Sequence, residues 1–516
     1  MPRKPANRTR RKGTRAKAQV SAAVNVSPHQ QPAPKLTVRH YCQGIGDSHL
    51  LTFSKPDGSP FRMLIDCGVH SSVSGGSKLI QAIAADIKEA CGGKLDVLVV
   101  THEHWDHVSG FLYAAEIFKT ISVGEVWMAW SENPGDPDAV ALDKFKGAAI
   151  TALQGASRRL DAETAEEKGF VAGLRDGMQS LLGFQFGAAG ERVRAARDAA
   201  SGLSKKQPPS YFGPETQPFI IPGLTNVRVY VLGPPRDRKA LRLEEKASEM
   251  YPLAERLTAS LAATEGPADG GGDSLSPFES HIGEPLSGAI SGNLASTITE
   301  FVQAHYVKSL PATGPKPRID DVVVRDQSWR RIDADWLGVA ADLAMQLDRG
   351  VNNTSLVLAF ELVDSGRVFL FPGDAQIGNW LSWQDSSWEV GGSTVHAADL
   401  LGRTVFLKVA HHGSQNATPM AKGLSMMTNP DLSAFIPTNK GDATKVHWGD
   451  MPYDTIVADL EAKTGKRVVR ADDAWLADKN GKPGFQVPSG SIRSVKHGVR
   501  DPAFGSGGLW VEVELA

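Results

Sequence analysis

The sequence predicts an α/β protein, and three observations carry that expectation. Short apolar runs recur along the chain, among them Phe61 to Ile65, Leu95 to Val100, Ser355 to Leu362, Val368 to Phe371 and Val405 to Ala410, and they read as buried strands. Between the first two lies a stretch of helical spacing over residues 77–90, so strand, helix and strand follow one another as in a layered α/β fold. Several runs also end directly in clusters of polar, ligand-type side chains, as a site on one edge of a sheet requires.

Length and composition set the frame. At 516 residues the chain can form two or three domains, or one large domain with insertions. A hydrophobic share of 41% and a charged share of 22% are those of an ordinary globular protein. The formal net charge of −2 gives no global field toward nucleic acid or an anionic membrane. Residues 1–17 are the exception, with Arg3, Lys4, Arg8, Arg10, Arg11, Lys12, Arg15 and Lys17 and no acid. This start lacks the apolar core of a secretory signal, and no later stretch reaches the length of a membrane span. Cys42, Cys67 and Cys91 are too few, and odd in number, for a disulfide framework. A cytoplasmic location is the expectation.

Residues 1–35, rich in Arg, Lys, Pro, Ala and Gln, are expected to be a disordered basic tail able to touch phosphates. Residues 36–516 are expected to form the folded body. Leu36 to Tyr41 and His49 to Phe53 read as strands around the turn Gly44-Ile45-Gly46-Asp47, and Gly46 and Gly68 would let backbone pass close to the next loop. After the strand 95–100 comes Thr101-His102-Glu103-His104-Trp105-Asp106-His107. Three histidines and an aspartate in six positions at a strand mouth read as a site for zinc or a similar divalent ion. A helix over 110–118 and a strand over 123–130 are expected next. Insertions at about 131–225 and 236–350 follow: an Ala-rich helical stretch, then a Gly-, Ser- and Pro-rich one around 266–292, with a strand at 227–235 between them. Trp380, Trp383 and Trp388 could stack on bases or cover the core.

The pattern H-x-H-x-D-H resembles that of the metallo-β-lactamase superfamily, and the resemblance extends to YCQGIGDSHLL at 41–51, MLIDCG at 63–68, VNNTSLVLAF at 351–360, FLFPGDA at 369–375 and KVAHHGS at 408–414. Within that superfamily the sequence is most similar to the hydrolase domain of competence-type DNA-uptake channel proteins and their soluble relatives. The resemblance implies a four-layer αββα sandwich with large helical and loop insertions, and two divalent metal ions, zinc or alternatively manganese. It implies that His102 and His104 hold one ion, that Asp106 and His107 hold the other, and that Asp374 bridges. A further histidine comes from His411-His412, with His412 the preferred ligand and His411 second in line. Asp66 would support the ligand loop from beneath; Asp47 is a candidate for the same layer or a plain turn residue.

One departure stands out: many superfamily members supply a third histidine to the first ion between the loop and the bridging aspartate. Here only His281 and His305 lie in that interval, neither after a strand, and the competence-type branch has an asparagine-rich stretch matched by Asn352-Asn353-Thr354-Ser355. Asn352 and Asn353 are candidates for metal or for a substrate oxygen, and a first ion held by asparagine would be loosely held or be manganese. Lys408, Ser414 and His447 are candidates for charge compensation or proton donation at a leaving group. Asp106, Asp374 and His447 are taken as the catalytic residues. The resemblance implies hydrolysis by a metal-bound hydroxide, with a phosphodiester, DNA or RNA among them, as the leading substrate. A small-molecule ester, thioester or lactam is the alternative. A partner-binding effector that keeps a structural metal site is the alternative from another class.

Overall fold

The strand patterns build two β-sheets that share one apolar interior. The computed structural model describes residues 36–163, 191–242, 296–309, 323–324, 347, 350–445 and 451–515. Pro34–Ala516 forms one compact unit. The tail at 1–35, the segment around 266–292, His281 and His447 lie outside the described residues.

Strands β1 (Leu36–Tyr41), β2 (His49–Ser54) and β3 (Pro60–Ile65) form an antiparallel meander. β4 (Lys94–Val100) and β5 (Ser122–Ala129) then run parallel to β3. Each parallel step needs a crossover that returns the chain to the same end of the sheet. Helix Gly76–Ala90 makes the first. Three short helical turns, Trp105–Val108, Gly110–Tyr113 and Ala115–Phe118, contribute to the second. The single helix expected over 110–118 is therefore broken, at Ala114, whose backbone (φ −116°, ψ 27°) leaves the helical region. β6 (Ser210–Phe212) adds a parallel strand beyond β5.

The second sheet begins with β7 (Phe219–Ile220) and β8 (Val227–Gly233). β9 (Val307–Ser309) and β10 (Val323–Val324) form a separate small pair. β11 (Val357–Leu362) and β12 (Arg367–Phe371) return to the sheet. β13 (Ser387–Val390) and β14 (Ser393–His396) make a hairpin of their own. β15 (Thr404–Lys408), β16 (Ser433–Ile436) and β17 (Val468–Arg470) continue in parallel from β12. β18 (Ile492–Val499) and β19 (Gly508–Leu515) rejoin the first sheet. The orders are β18-β19-β1-β2-β3-β4-β5-β6 and β17-β16-β15-β12-β11-β8-β7. β11 starts at Val357 rather than Ser355 because Ser355 is still in a turn, its N–H donating to Asn352 O at 3.0 Å.

Between the sheets, Phe53, Met63 and Val99 from the first meet Phe360, Phe371 and Phe435 from the second. The rings of Phe53 and Phe360 lie 5.7 Å apart and tilted, a favourable aromatic geometry. Outside the first sheet, Leu79, Ile80, Ile83 and Ile87 of helix Gly76–Ala90 pack with Val193, Ala196 and Ala200 of helix Glu191–Ser201 in one apolar layer. Outside the second, Trp380, Trp383, Trp388, Leu400 and Leu460 form the matching layer, so the three tryptophans serve as core. The result is an αββα sandwich. Part of the stretch at 131–225 is built into it, since β6, β7 and helix Glu191–Ser201 all contribute to its layers. No helix among the described residues is long and apolar enough to cross a membrane. The three cysteines are free and buried; Cys42 and Cys67 sit just past the ends of β1 and β3.

Candidate metal centre

The parallel strands of both sheets deliver their C-terminal ends to one edge, where loops can carry ligands on a rigid base. β3 ends at Asp66, β4 at Thr101 to His107, β12 at Pro372-Gly373-Asp374 and β15 at Val409 to His412. Close approach of these loops depends on small residues. A Cβ on Gly68 would fall 2.3 Å from the backbone of Asp106, and one on Gly46 would fall 2.6 Å from the Asp106 carbonyl. Asp66, His411 and His412 adopt left-handed backbone conformations with φ of 56°, 41° and 57°. Such geometry is costly for residues with a Cβ and persists where the surroundings enforce it.

Four buried side chains converge: Asp106, His107, Asp374 and His412 each offer a ligand atom, and these atoms all lie within 4.8 Å of one another. His412 Nε2 is 2.8 Å from Asp106 Oδ2 and 3.3 Å from Asp374 Oδ2. His107 Nε2 is 3.0 Å from Asp374 Oδ2. Two imidazoles and two carboxylates at these separations make a donor set suited to zinc or a similar divalent ion. Asp106 Oδ1 is buried with no hydrogen-bond partner among the described residues. A buried carboxylate oxygen without a donor is costly, and a cation would satisfy it, so the residues fit the metal that the motif implies.

The layer beneath fixes the imidazoles. Asp66 accepts from the Thr101 N–H at 2.8 Å, from the Thr101 hydroxyl at 2.6 Å and from His107 Nδ1 at 2.8 Å. With its Nδ1 proton held there, His107 turns Nε2 toward Asp374. The Thr101 hydroxyl, having donated to Asp66, can accept from His102 Nδ1 at 3.1 Å. His102 Nε2 is thereby left as an acceptor, buried and without a hydrogen-bond partner among the described residues. His102 and His104 stand beside the four-residue group and belong to neither close donor group found among the described residues. The second such group is Asp47, Asp66 and His107. The His102 ring lies 4.2 Å from that of His107 and 4.7 Å from that of His104.

Asp374 uses its two oxygens differently. Oδ2 faces His107 and His412, while Oδ1 accepts from Lys408 Nζ and from the His411 N–H, each at 3.2 Å. Lys408 is buried, not solvent-reaching, and also pairs with Asp47. Asp47 is thus a buried counter-ion and more than a turn residue. His411 points away from the cluster: its Nδ1 lies 2.8 Å from Ser414 Oγ and its Nε2 3.3 Å from Asn352 Nδ2. Asn353 Nδ2 donates to the Leu241 carbonyl and its Oδ1 accepts from the Asn379 N–H, so its amide is engaged with backbone. Ser355 Oγ accepts from the Asp374 N–H at 3.1 Å and seats that residue. His305 lies in helix Ser296–Tyr306, with its ring 4.6 Å from that of Phe301.

Charge states follow from this packing. Burial opposes ionisation of Asp106 and Asp374, yet His107 and His412 hold both carboxyls well below the ordinary range. Burial alone would lower His107, but Asp374, Asp106 and Asp66 raise it well above an ordinary imidazole. Burial, then His107 and His104, keep His102 neutral, far below its ordinary value. Burial likewise lowers His411 to about 4.

Several participants carry no sequence signal. Glu103, inside the motif, turns away from the cluster into a buried set of charges with Lys146, Arg197 and Glu132, partners 43, 94 and 29 positions along the chain. His40 and His49, read only as strand residues, form a buried pair with Nδ1 atoms 3.0 Å apart, and the His40 ring stacks 3.8 Å from Phe435. Their shared polar face between the sheets depends on strand register, which periodicity alone does not show.

A family model described as the metallo-beta-lactamase superfamily matches residues 60–171, a span holding Asp66 and the whole His102 to His107 loop. No curated protein and no solved structure matches the chain. Over that span the chain is similar to the metallo-beta-lactamase superfamily, whose members are generally hydrolytic metalloenzymes, and the αββα layers and the His/Asp cluster at the strand ends are consistent with that similarity.

Proposed function

We propose that the chain is a metal-dependent hydrolase of phosphodiesters, with a nucleic acid as the polymeric form of its substrate and the competence-type hydrolases as its nearest branch. The observation that supports hydrolysis above all is the convergence of Asp106, His107, Asp374 and His412 at the C-terminal ends of strands from both sheets. For the branch, support comes from Asn352-Asn353-Thr354-Ser355 and from Lys408 to Ser414, whose residues meet around Asp374 and His411. In this reading Asp106, His107, Asp374 and His412 hold one divalent ion, while His102 and His104 start a second, less complete site.

A bound divalent ion supplies Lewis acidity and brings the pKa of water toward neutrality. The chain's own residues prepare for that. Asp66 and Thr101 hold the Nδ1 atoms of His107 and His102 and so aim both Nε2 atoms inward, where each can serve as a ligand once free of its proton. Lys408 and the His411 N–H hold Asp374 Oδ1, which leaves Oδ2 for the cluster. Lys408 is committed to two carboxylates and is a poor proton donor to a leaving group. Neutral His411 and the Ser414 hydroxyl beside it are the available polar groups on that side.

Purified protein assayed on bis(p-nitrophenyl) phosphate, on single- and double-stranded DNA and on RNA, with zinc and with manganese, tests the proposal. Turnover of phosphodiesters is expected, lost by at least about 100-fold in Asp374→Asn and Asp106→Ala together with bound metal. Turnover confined to lactams, thioesters or carboxylic esters would sink the phosphodiester reading. Deleting residues 1–35 should weaken nucleic-acid affinity and flatten its salt dependence while sparing the small substrate.

A further inference from the structure

The ligand loop has two sides, and the second has no assigned role. Along His102-Glu103-His104-Trp105-Asp106-His107 the ligand-type residues face the strand ends, while positions 103 and 105 face the helices inserted after β5. Glu103 Oε2 accepts from Arg197 Nη1 at 2.8 Å, and its other oxygen pairs with Lys146. Arg197 reaches on to Glu132 Oε2 at 3.1 Å, and Lys146 Nζ lies 4.0 Å from Glu132 Oε1. Trp105, fully buried, carries the Arg192 guanidinium 4.7 Å from its ring centroid. Lys146 belongs to helix Pro137–Glu163, Arg192 and Arg197 to helix Glu191–Ser201.

We propose that these two inserted helices are a positioning device for the metal loop, coupled to it through Glu103, so that docking of the helices and loading of the metal favour one another. The cluster holds two acids and two bases, so its formal charges balance. Taking charges out of water is repaid only when every partner is in place, so such a set behaves as all or none. If Lys146 and Arg197 withdraw, the Glu103 carboxylate is left buried without a counter-charge, and the cheapest relief is rotation of the peptide between His102 and His104. That rotation moves both imidazoles. Conversely, an ion that fixes those imidazoles fixes Glu103 in the orientation that captures the helices. A surface decoration would not need buried charges at its root, and an apolar contact at position 103 would hold the loop without making it depend on two distant side chains. Coupling of this kind is reciprocal by necessity: whatever the helices add to metal affinity, the metal adds to helix docking.

The inference rests on the metal reading above but not on any activity, and the experiment uses the full-length chain. Hydrogen exchange is followed by mass spectrometry on zinc-loaded protein and on the same protein stripped with a chelator. Residues 137–150 and 191–201 are expected to lose protection on stripping together with 101–109, while helix Asp454–Thr464, on the outer face of the second sheet, keeps its own. Unchanged protection of the two inserted helices in a chain that demonstrably binds zinc overturns the coupling and leaves the metal reading standing. A chain that binds neither zinc nor manganese overturns both. The charge-balanced double variant Glu103→Gln with Lys146→Met is expected to keep the wild-type circular dichroism and to lose about 10–100-fold in zinc affinity by chelator competition. Wild-type affinity in that folded variant also overturns the proposal; should the variant fail to fold, the exchange experiment on the wild type decides alone.

Discussion

Asp66 receives three hydrogen bonds on its two oxygens, and two imidazole orientations depend on it. Asp66→Asn is therefore expected to lower metal affinity about 10–100-fold with little change in circular dichroism, because an amide cannot accept from Thr101 and His107 as a carboxylate does. Glu361 is informative for stability. It joins Arg228 at 2.7 Å, Arg403 and the Tyr230 hydroxyl at 3.0 Å. Burial works against its ionisation, yet hydrogen bonds from Arg403 and Arg228 hold its carboxyl below the ordinary value of 4.5. A depressed folded pKa means that the ionised group stabilises the fold fully above the unfolded value, and that this contribution is lost as pH falls through the folded one. Denaturant titrations between pH 7 and pH 3 should show Glu361→Gln less stable than wild type at pH 7, with the gap narrowing below about pH 4.5.

Among the elements, the loop crossing at Gly68 is the tightest. Gly68→Ala would place a methyl group 2.3 Å from the Asp106 backbone, and either the ligand loop or β3's exit must shift. Soluble expression and metal content should both fall in this variant, whereas Gly484→Ala, with open space around its Cβ position and no left-handed backbone to strain, should change metal content not at all. The strands that lead into the site were legible in the sequence because each is an apolar run with a ligand cluster at its end, and that cluster is where the chain stops needing to be apolar. β18 and β19 were not read at all, since their alternating faces, as in Leu509-Trp510-Val511-Glu512-Val513-Glu514, do not end in a cluster of ligand-type residues. The helix at 110–118 was read as one piece because its composition suits a helix throughout; the break at Ala114 comes from packing Phe111 and Phe118 into one layer with ring centroids 4.9 Å apart. In the site, ligand-type residues could be collected by type and motif. That Asp374 divides its oxygens between Lys408 and the cluster, and that Glu103 faces outward, are properties of side-chain direction that depend on partners distant in sequence.

For the molecule as a whole, the candidate centre joins donors from both sheets: His412 meets Asp106 across 306 positions of chain. In the unfolded chain, closing a loop of that length costs on the order of 5 kcal/mol in entropy, so the donor set exists only in the folded state. An ion that binds the native form alone lends it the whole of its binding free energy, about 4 kcal/mol at a thousandfold excess over Kd. Thermal melting should then rise steadily with free zinc and collapse toward the stripped value in His412→Ala. The spacing of two histidine-bearing loops along the chain turns the melting temperature into a gauge of metal activity, one that can be read with no substrate in the tube.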